Sequence, residues 1–496
     1  MTKKNLINLA VVVVYIAVML IIGCYPEDSL QWSLDGSTGI YRKKAALFIV
    51  DGNTGSLTQV AAEGTVTRWP AISPDGSQFA YGQIVKVDHF NSALKLLPPV
   101  QVKVIEAHAE ILKQKILAEG IKDGNFPFIG KPVATDSSQK DSFNDQHIIW
   151  VQRYLIENAD TQLARRIGPE LIEKTKAKDL TYCQLVYAPT ADPNNGKILA
   201  ISSQWLWRIR FSPDSRFIAY GADRINGAAW DVGYDLYIVS PAENIPPVFL
   251  APATAAGYDF RADSRAIAYI KPENEFFDTS RPALGSLVER TIIDPNGKLL
   301  ASLDPNDPSQ RYTCTGAATE LAGVLYHPWM HVSYACDNRI FFASVKMSLP
   351  SSKLDEEKTT IFCCDTLTGA LSEIVHQVVL DYAQGNVNLY LFALSGDSRK
   401  ILLNGKKNTV GIYVLGGDLE LSKVLIDDNE GFGEGESLIA QWKGPDQVSC
   451  LVSEKSHYLT ADPNIPARRK EIVILDTNGN LKQILSKDWP NELLNY

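Results

Sequence analysis

Phe211-Ser212-Pro213-Asp214-Ser215-Arg216-Phe217-Ile218-Ala219-Tyr220 is the stretch from which the fold can be read, because it recurs. ISPDGSQFAY (Ile72–Tyr81), WSLDGSTGIY (Trp32–Tyr41) and FRADSRAIAY (Phe260–Tyr269) overlay it without gaps, and LSGDSRKILL (Leu394–Leu403) keeps the acidic turn but loses the tyrosine. Two degenerate copies complete the set: YHPWMHVSYA (Tyr326–Ala335), with Trp329 at the aspartate position, and the shortened WKGPDQVSCL (Trp442–Leu451). Proline at 74 or 213 presets φ for a corner, and the aspartate accepts a hydrogen bond from the amide two residues on. Gly76 suits the left-handed conformation that follows. Beyond the turn the chain becomes a strand, with Phe79 and Tyr81 on one face and Ala80 on the other.

Each signature is followed by an apolar strand, a polar turn and another strand. LFIVDGNTGSLTQV (Leu47–Val60), IFCCDTLTGALSEIV (Ile361–Val375) and IVILDTNGNLKQIL (Ile472–Leu485) are the clearest, and TIIDPNGKLLASL (Thr291–Leu303), IYVLGGDLELSKVL (Ile412–Leu425) and LYIVSPAENIPPVFL (Leu236–Leu250) are weaker. Such pairs read as hairpins. Signature plus hairpin makes a four-stranded sheet that cannot bury both faces alone, so copies must stack. The fold class is therefore all-β: a β-propeller of about seven four-stranded blades, six being the alternative count. Its turns are at Asp35, Asp75, Asp214, Asp263, Asp397 and Asp446, where capping is the expected role of the carboxylates.

One gap breaks the spacing, between Asp75 and Asp214, and the extra residues fall at 88–178. There Ile105, Ala109, Leu112 and Ile116 recur at helical spacing. A second helix begins after Asn144 or Asp145 and runs through Trp150 and Leu155, and Gly168-Pro169 precedes a third. The interrupted blade resumes with LVYAPTADPNNGKILAIS (Leu185–Ser202). The expected organisation is a propeller over 30–87 and 179–487, a helical insertion at 88–178 in the second blade, and a tail at 488–496.

The amino terminus reads as an export signal: Lys3-Lys4, an apolar run from Leu6 to Ile22, then Gly23-Cys24. Ile21-Ile22-Gly23-Cys24 resembles the bacterial lipoprotein processing motif. That resemblance implies removal of 1–23, a diacylglyceryl group on Cys24 and a tether at 24–29. An uncleaved anchor is the alternative, since the run lies at the short limit for spanning a bilayer. Tyr25 in place of an inner-membrane retention aspartate favours the outer membrane, with the protein facing the periplasm or the cell surface.

The aligned units resemble the WD40-like repeats of the propeller in TolB and related bacterial envelope proteins, over most of residues 30–487. The chain departs from TolB itself by its lipoprotein motif, its missing amino-terminal α/β domain and its helical insertion, so TolB's partners do not carry over.

The net charge of -9 with scattered basic residues argues against nucleic acid as a partner. Neither a nucleophile elbow, a P-loop nor a dinucleotide fingerprint occurs. His327 and His331 stand four apart and are the weak candidates for a metal, but they fall on a signature turn where that spacing guarantees no convergence. Metal-using lyases of related propellers make a polysaccharide lyase or hydrolase acting at the central channel the alternative function. The acidic Glu430–Glu436 run reads as a solvated loop. Cys314 and Cys336 flank one segment and their pairing stays open; Cys363 and Cys364 are expected to face opposite sides of a strand as inert packing. Phe126, Phe128 and Trp150 in the insertion either dock a partner or pack the helical lobe. The function expected is a monomeric, non-catalytic scaffold that binds an envelope protein or a glycan, with no cofactor besides the lipid.

Overall fold

The structure, a computed structural model, describes residues 29–67, 69–127, 145–224, 233–243, 245–274, 283–303, 311–326, 330–345, 359–373, 392–404, 410–415, 419–426, 440–453 and 470–490. Its strands form seven sheets, antiparallel save for one pairing in the third, and these are the blades of a β-propeller. Blade 1 spans 29–61, blade 2 spans 71–87 and 180–202, blade 3 spans 206–254 and blade 4 spans 258–291 and 318–326. Blades 5, 6 and 7 span 332–373, 392–426 and 440–484. Two compact units result: one holds blades 1, 5, 6 and 7 with the turn at 74–76, the other blades 2, 3 and 4 with the helical insertion.

Four of the signature turns are capped corners. Asp35 accepts from the Ser37 amide at 3.0 Å, Asp214 from Arg216 at 3.2 Å, Asp263 from Arg265 at 2.9 Å and Asp397 from Arg399 at 3.0 Å. The serine two places earlier also donates, Ser33 to Asp35 at 2.7 Å and Ser395 to Asp397 at 2.6 Å. These bonds favour the ionised form, so the Asp35 and Asp397 carboxyls sit below the usual range, the hydroxyl bond being the largest cause. The next residue is left-handed whatever its type: φ is 71° at Gly36 and Gly76, 60° at Ser215 and Ser264, and 54° at Ser398.

Two of the non-glycine residues at this position do a second job. Ser264 Oγ accepts the Asp214 amide of the preceding blade at 3.1 Å, and Ser398 Oγ accepts the Cys336 amide at 3.0 Å. The side chain thereby links neighbouring blades within one unit, at the cost of a left-handed backbone. Ser264→Ala keeps that strain and strands the amide, so it is expected to lose about 1–3 kcal/mol. Ser264→Gly relieves the strain and should lose less. Urea midpoints for the two variants check this order; equal losses would refute it.

Two expectations are corrected. The fifth signature lies at Tyr334–Ala343, YACDNRIFFA, eight residues beyond the expected place. Its turn residue is Asp337, held by the Arg339 guanidinium at 2.6 Å, and Asn338 takes the left-handed position at φ 63°. Cys336 occupies the proline position, and Trp329 lies outside the described residues. In blade 4, Ala283–Thr291 pairs with Ala318–Tyr326 and not with the strand at 301–303. Asp294 does cap a turn there, accepting from Asn296 and Lys298 amides at 2.8 and 2.9 Å. The chain then leaves for blade 3, where Ala301–Leu303 and Tyr312–Cys314 extend the sheet to six strands through a parallel pairing with Val248–Thr254. Arg311 stacks on Phe249 at 3.7 Å and holds that excursion down.

Blades 1 and 7 each draw their strands from one stretch of chain, so they meet by packing. Leu30, Trp32, Tyr41 and Phe48 bury against Ile472, Ile474, Leu485 and Trp489, and the Trp32 indole donates to Ser449 Oγ at 2.9 Å.

The insertion between Val87 and Leu180 is helical: α1 Phe90–Leu94, α2 Pro99–Glu119, α3 Asp145–Glu157, α4 Thr161–Ile167 and α5 Pro169–Lys176. Pro99 and Pro169 open α2 and α5, where a missing N–H costs nothing. Asp160 caps α4 by accepting from the Leu163 amide at 2.8 Å. Ile105, Ala109, Leu112 and Ile116 form the buried stripe expected of α2, packed with Phe90, Trp150, Val151 and Leu155 into a core that reaches Leu180 of blade 2.

Candidate functional site

Cys24, His327, Phe128 and the Glu430–Glu436 loop lie outside the described residues. His331 is buried at the start of the first strand of blade 5, its ring edge-on to Phe392 of blade 6 at 4.8 Å. Its surroundings are those of a packing residue between blades. Among the described residues no three His, Cys, Asp or Glu side chains gather as a metal set. All six cysteines after Cys24 are free thiols, including Cys314, which is buried, and Cys336, which is exposed. Of the two roles expected for Trp150, docking a partner or packing the lobe, the structure gives it the second. It is fully buried, edge-on to Phe90 at 5.1 Å, and its indole donates to the Thr181 carbonyl at 2.9 Å. Phe126 is half-buried against the same core.

A different group converges where blade 3 begins. Because strands alternate in direction, the first-to-second and third-to-fourth turns leave one end of each blade. The second-to-third loops and the blade-to-blade connections leave the other. The helical insertion emerges at that second end of blade 2. There the connection 203–205 enters the strand Leu206–Phe211, and Trp205 and Trp207, two apart, share a face. Trp207 lies 5.6 Å from Trp69, 5.8 Å from Trp205 and 6.2 Å from Tyr234, ring centre to ring centre. Trp69 and Trp205 are partly exposed, whereas Trp207 is buried.

Backbone geometry at this end is unusual. Trp69 and Arg208 occupy the same place in their repeats, four residues before Ser73 and Ser212, and both are left-handed, with φ of 57° and 47°. The Ile209 amide donates to the Trp69 carbonyl at 3.2 Å, and Arg208 offers its carbonyl to the Tyr258 hydroxyl. Bulky residues held in this region mark a locally over-determined backbone, as binding sites commonly have.

Asp223 supplies the polar group. It ends the strand Ile218–Asp223, its amide donates to the Trp205 carbonyl at 3.0 Å, and it stands opposite Tyr234 on the next strand. Burial pushes its carboxyl up to about 8, against the weaker pull of the Trp207 indole beside it. Its Oδ1 is shut off from solvent, and the Trp207 indole is the hydrogen-bonding group beside the carboxyl. Burial also holds the Cys183 thiol of blade 2 up at about 12, with Asp223 as a further contributor. Arg224 pairs with Asp235, and Arg210 with Asp259, each at 3.2 Å.

The lobe is rooted at the same connection. Gln101, in the first turn of α2, accepts from the Ser203 amide at 2.8 Å and its hydroxyl at 2.9 Å, and donates to Ser202 Oγ at 3.3 Å. Sequence reasoning missed Trp69, Trp205, Trp207 and Asp223. The one signal available was the alternation Trp205-Leu206-Trp207, just upstream of the signature.

No protein-family model and no curated protein matches the chain. Among solved structures, TolB from Acinetobacter baumannii aligns at 13% identity over 60% of this chain and 58% of its own, with a TM-score of 0.33. The chain thus spans under two thirds of that structure. An oligogalacturonate lyase in complex with manganese aligns at 10% identity over 80% of this chain and 78% of its own, TM-score 0.40. Kuenenia stuttgartiensis hydrazine synthase aligns at 11% identity over 85% of this chain and 91% of its own, TM-score 0.44. The fold rests on the sheet order described above, and TolB and the WD40-like β-propellers are what the chain is similar to.

Proposed function

We propose that the chain is a lipid-anchored bacterial envelope protein, held through Cys24 at the outer membrane, whose propeller is a non-catalytic scaffold for an envelope protein or glycan. The observation that carries this reading is the helical lobe. It has a core of its own, and Gln101 fixes its base to the connection that carries Trp205. A lobe mounted this way on rigid sheets adds surface at the end of the blade where connections vary most freely, which is where binding residues concentrate. The basic start, apolar run and Gly23-Cys24 support the anchor. No helix among the described residues is long and apolar enough to cross a membrane.

The test is capture from native membranes with the full chain and with a chain lacking the lobe, its strands at Val87 and Leu180 joined by a short turn. Loss of the captured partner on deletion is expected; an unchanged set would overturn the lobe as the docking element. Labelled fatty acid should enter the full chain and not Cys24→Ala, and labelling of both would overturn the anchor.

A further inference from the structure

His108 of α2 and His147 of α3 meet where the two helices pack: Nδ1 of the first lies 2.7 Å from Nε2 of the second, with the rings edge-on at 4.9 Å. His147 is fully buried in the first turn of α3, and His108 is partly exposed. At that distance one ring donates and the other accepts. Two imidazolium rings carry donors only, so the bond holds with one proton between the facing nitrogens and fails with two. The residues three and four places away are Val104, Ile105, Ile111 and Leu112 around His108, and Trp150 and Val151 beyond His147, so the next helical turns bring no carboxylate. The start of α3 is also the positive end of its dipole. Elsewhere on α2, Glu106 meets the Tyr154 hydroxyl at 3.4 Å and Glu110 pairs with Lys113 at 3.7 Å, with Lys103 and Lys115 on the same helix. Arg153 and Glu157 of α3 pair at 3.6 Å, and Asp145 opens that helix. α1 carries no charge and follows the exposed His89, while α4 brings Arg165 and Arg166. α5 brings Glu170 and Lys174 besides the pair Glu173–Lys176, and blade 2 brings Tyr182, which burial holds above the usual tyrosine range.

We propose that the His108–His147 pair is an acid-sensitive clasp: it holds α3 on α2 while the facing nitrogens share one proton, and acidification opens the lobe by protonating both. Burial, and then the neighbouring His108, hold the His147 imidazole down at about 3, against an ordinary 6.5. Above 6.5 the ring is neutral in the closed and the open lobe alike. As pH falls below 6.5 the open lobe takes up the proton and the closed lobe refuses it, so closing weakens by up to about tenfold per pH unit until about pH 3. Regulation of binding by this clasp rests on the reading that the lobe receives the partner; the clasp itself does not.

The experiment is hydrogen exchange on the full chain in detergent at about pH 7.5 and about pH 5, corrected for the intrinsic exchange rates. Protection of α2 and α3 should fall about tenfold or more on acidification, while the strands of blades 3 and 4 keep theirs. His147→Gln leaves an uncharged amide that can still accept from His108, so it should hold the lobe closed at both pH values. If that variant does not close the lobe at pH 7.5, His108→Gln is read in its place, and it should lose less protection than wild type at pH 5 because the like charge is gone. Unchanged wild-type protection at pH 5, a loss shared equally by the blades, or the same loss in the variant as in wild type would overturn the clasp. Partner capture repeated at pH 5 separates the two readings: an opened lobe that still captures its partner would overturn the docking role and leave the clasp standing.

Discussion

Trp150→Ala is expected to melt the helical lobe and leave the blades folded. Trp150 is fully enclosed by α1, α3 and the root of blade 2, with Phe90 edge-on at 5.1 Å and Thr181 accepting its indole proton. Truncation removes the largest buried side chain of that core and orphans a strand carbonyl at once. Such changes cost about 3–5 kcal/mol, which is comparable to what a small isolated core can hold. Hydrogen exchange should show α2 and α3 losing protection while the strands of blades 3 and 4 keep theirs. Uniform loss across lobe and blades would mean that the two fold as one cooperative block. Retention of protection in α2 would mean that Trp150 is not the keystone of the lobe. Because Gln101 ties α2 to Ser203 at 2.8 Å, partner capture should fall together with lobe protection.

What the chain revealed in advance follows from the range of the interactions involved. Asp35, Asp214 and Asp397 are legible because their hydrogen bonds close within two residues, so each turn is written in consecutive letters. The buried stripe of α2 is legible for the same reason, helical spacing being local. The fifth signature was misplaced because His327-Pro328 looks more like a corner than Cys336-Asp337 does. The true one is fixed by the Arg339 contact, which is local but uses none of the serine, proline or glycine of the other copies, and by the cross-blade bond to Ser398, which is not local. The hairpin at 291–303 failed in a similar way. Asp294 does cap a turn, but the strands on either side of it pair with partners far along the chain. The tryptophan site could not be assembled from sequence at all. Trp69 and Trp207 are neighbours only because blades 2 and 3 stack, and Asp223 is unusual only because of what surrounds it.

Asp223→Asn is expected to raise stability at neutral and mildly alkaline pH and to flatten its pH dependence. In the folded chain the carboxyl is pushed up to about 8 by burial, whereas the unfolded value is 3.8. Below the unfolded value the group is neutral in both states and costs nothing. Between the two values the unfolded chain ionises while the folded chain holds its proton, so stability falls as pH rises, by about 1.4 kcal/mol per unit. Above the folded value both states are ionised and the loss levels off. Asparagine has no proton to lose, so the advantage of the variant should grow from near zero around pH 4 to several kcal/mol, on the order of the summed slope, near pH 8. Groups facing the carboxyl do not supply the same signal. Cys183 stays a thiol until about 12, Tyr234 lies opposite on the next strand, and Arg224 is paired with Asp235. The turn carboxylates such as Asp35 and Asp397 are depressed, so their contribution is lost only as pH falls, and it cancels between the two chains. Urea midpoints from pH 4 to 9 decide the matter: parallel curves for wild type and variant would show that Asp223 is solvated or paired in solution. A diverging pair would establish an acid kept neutral at a cost to the fold, beside three indoles.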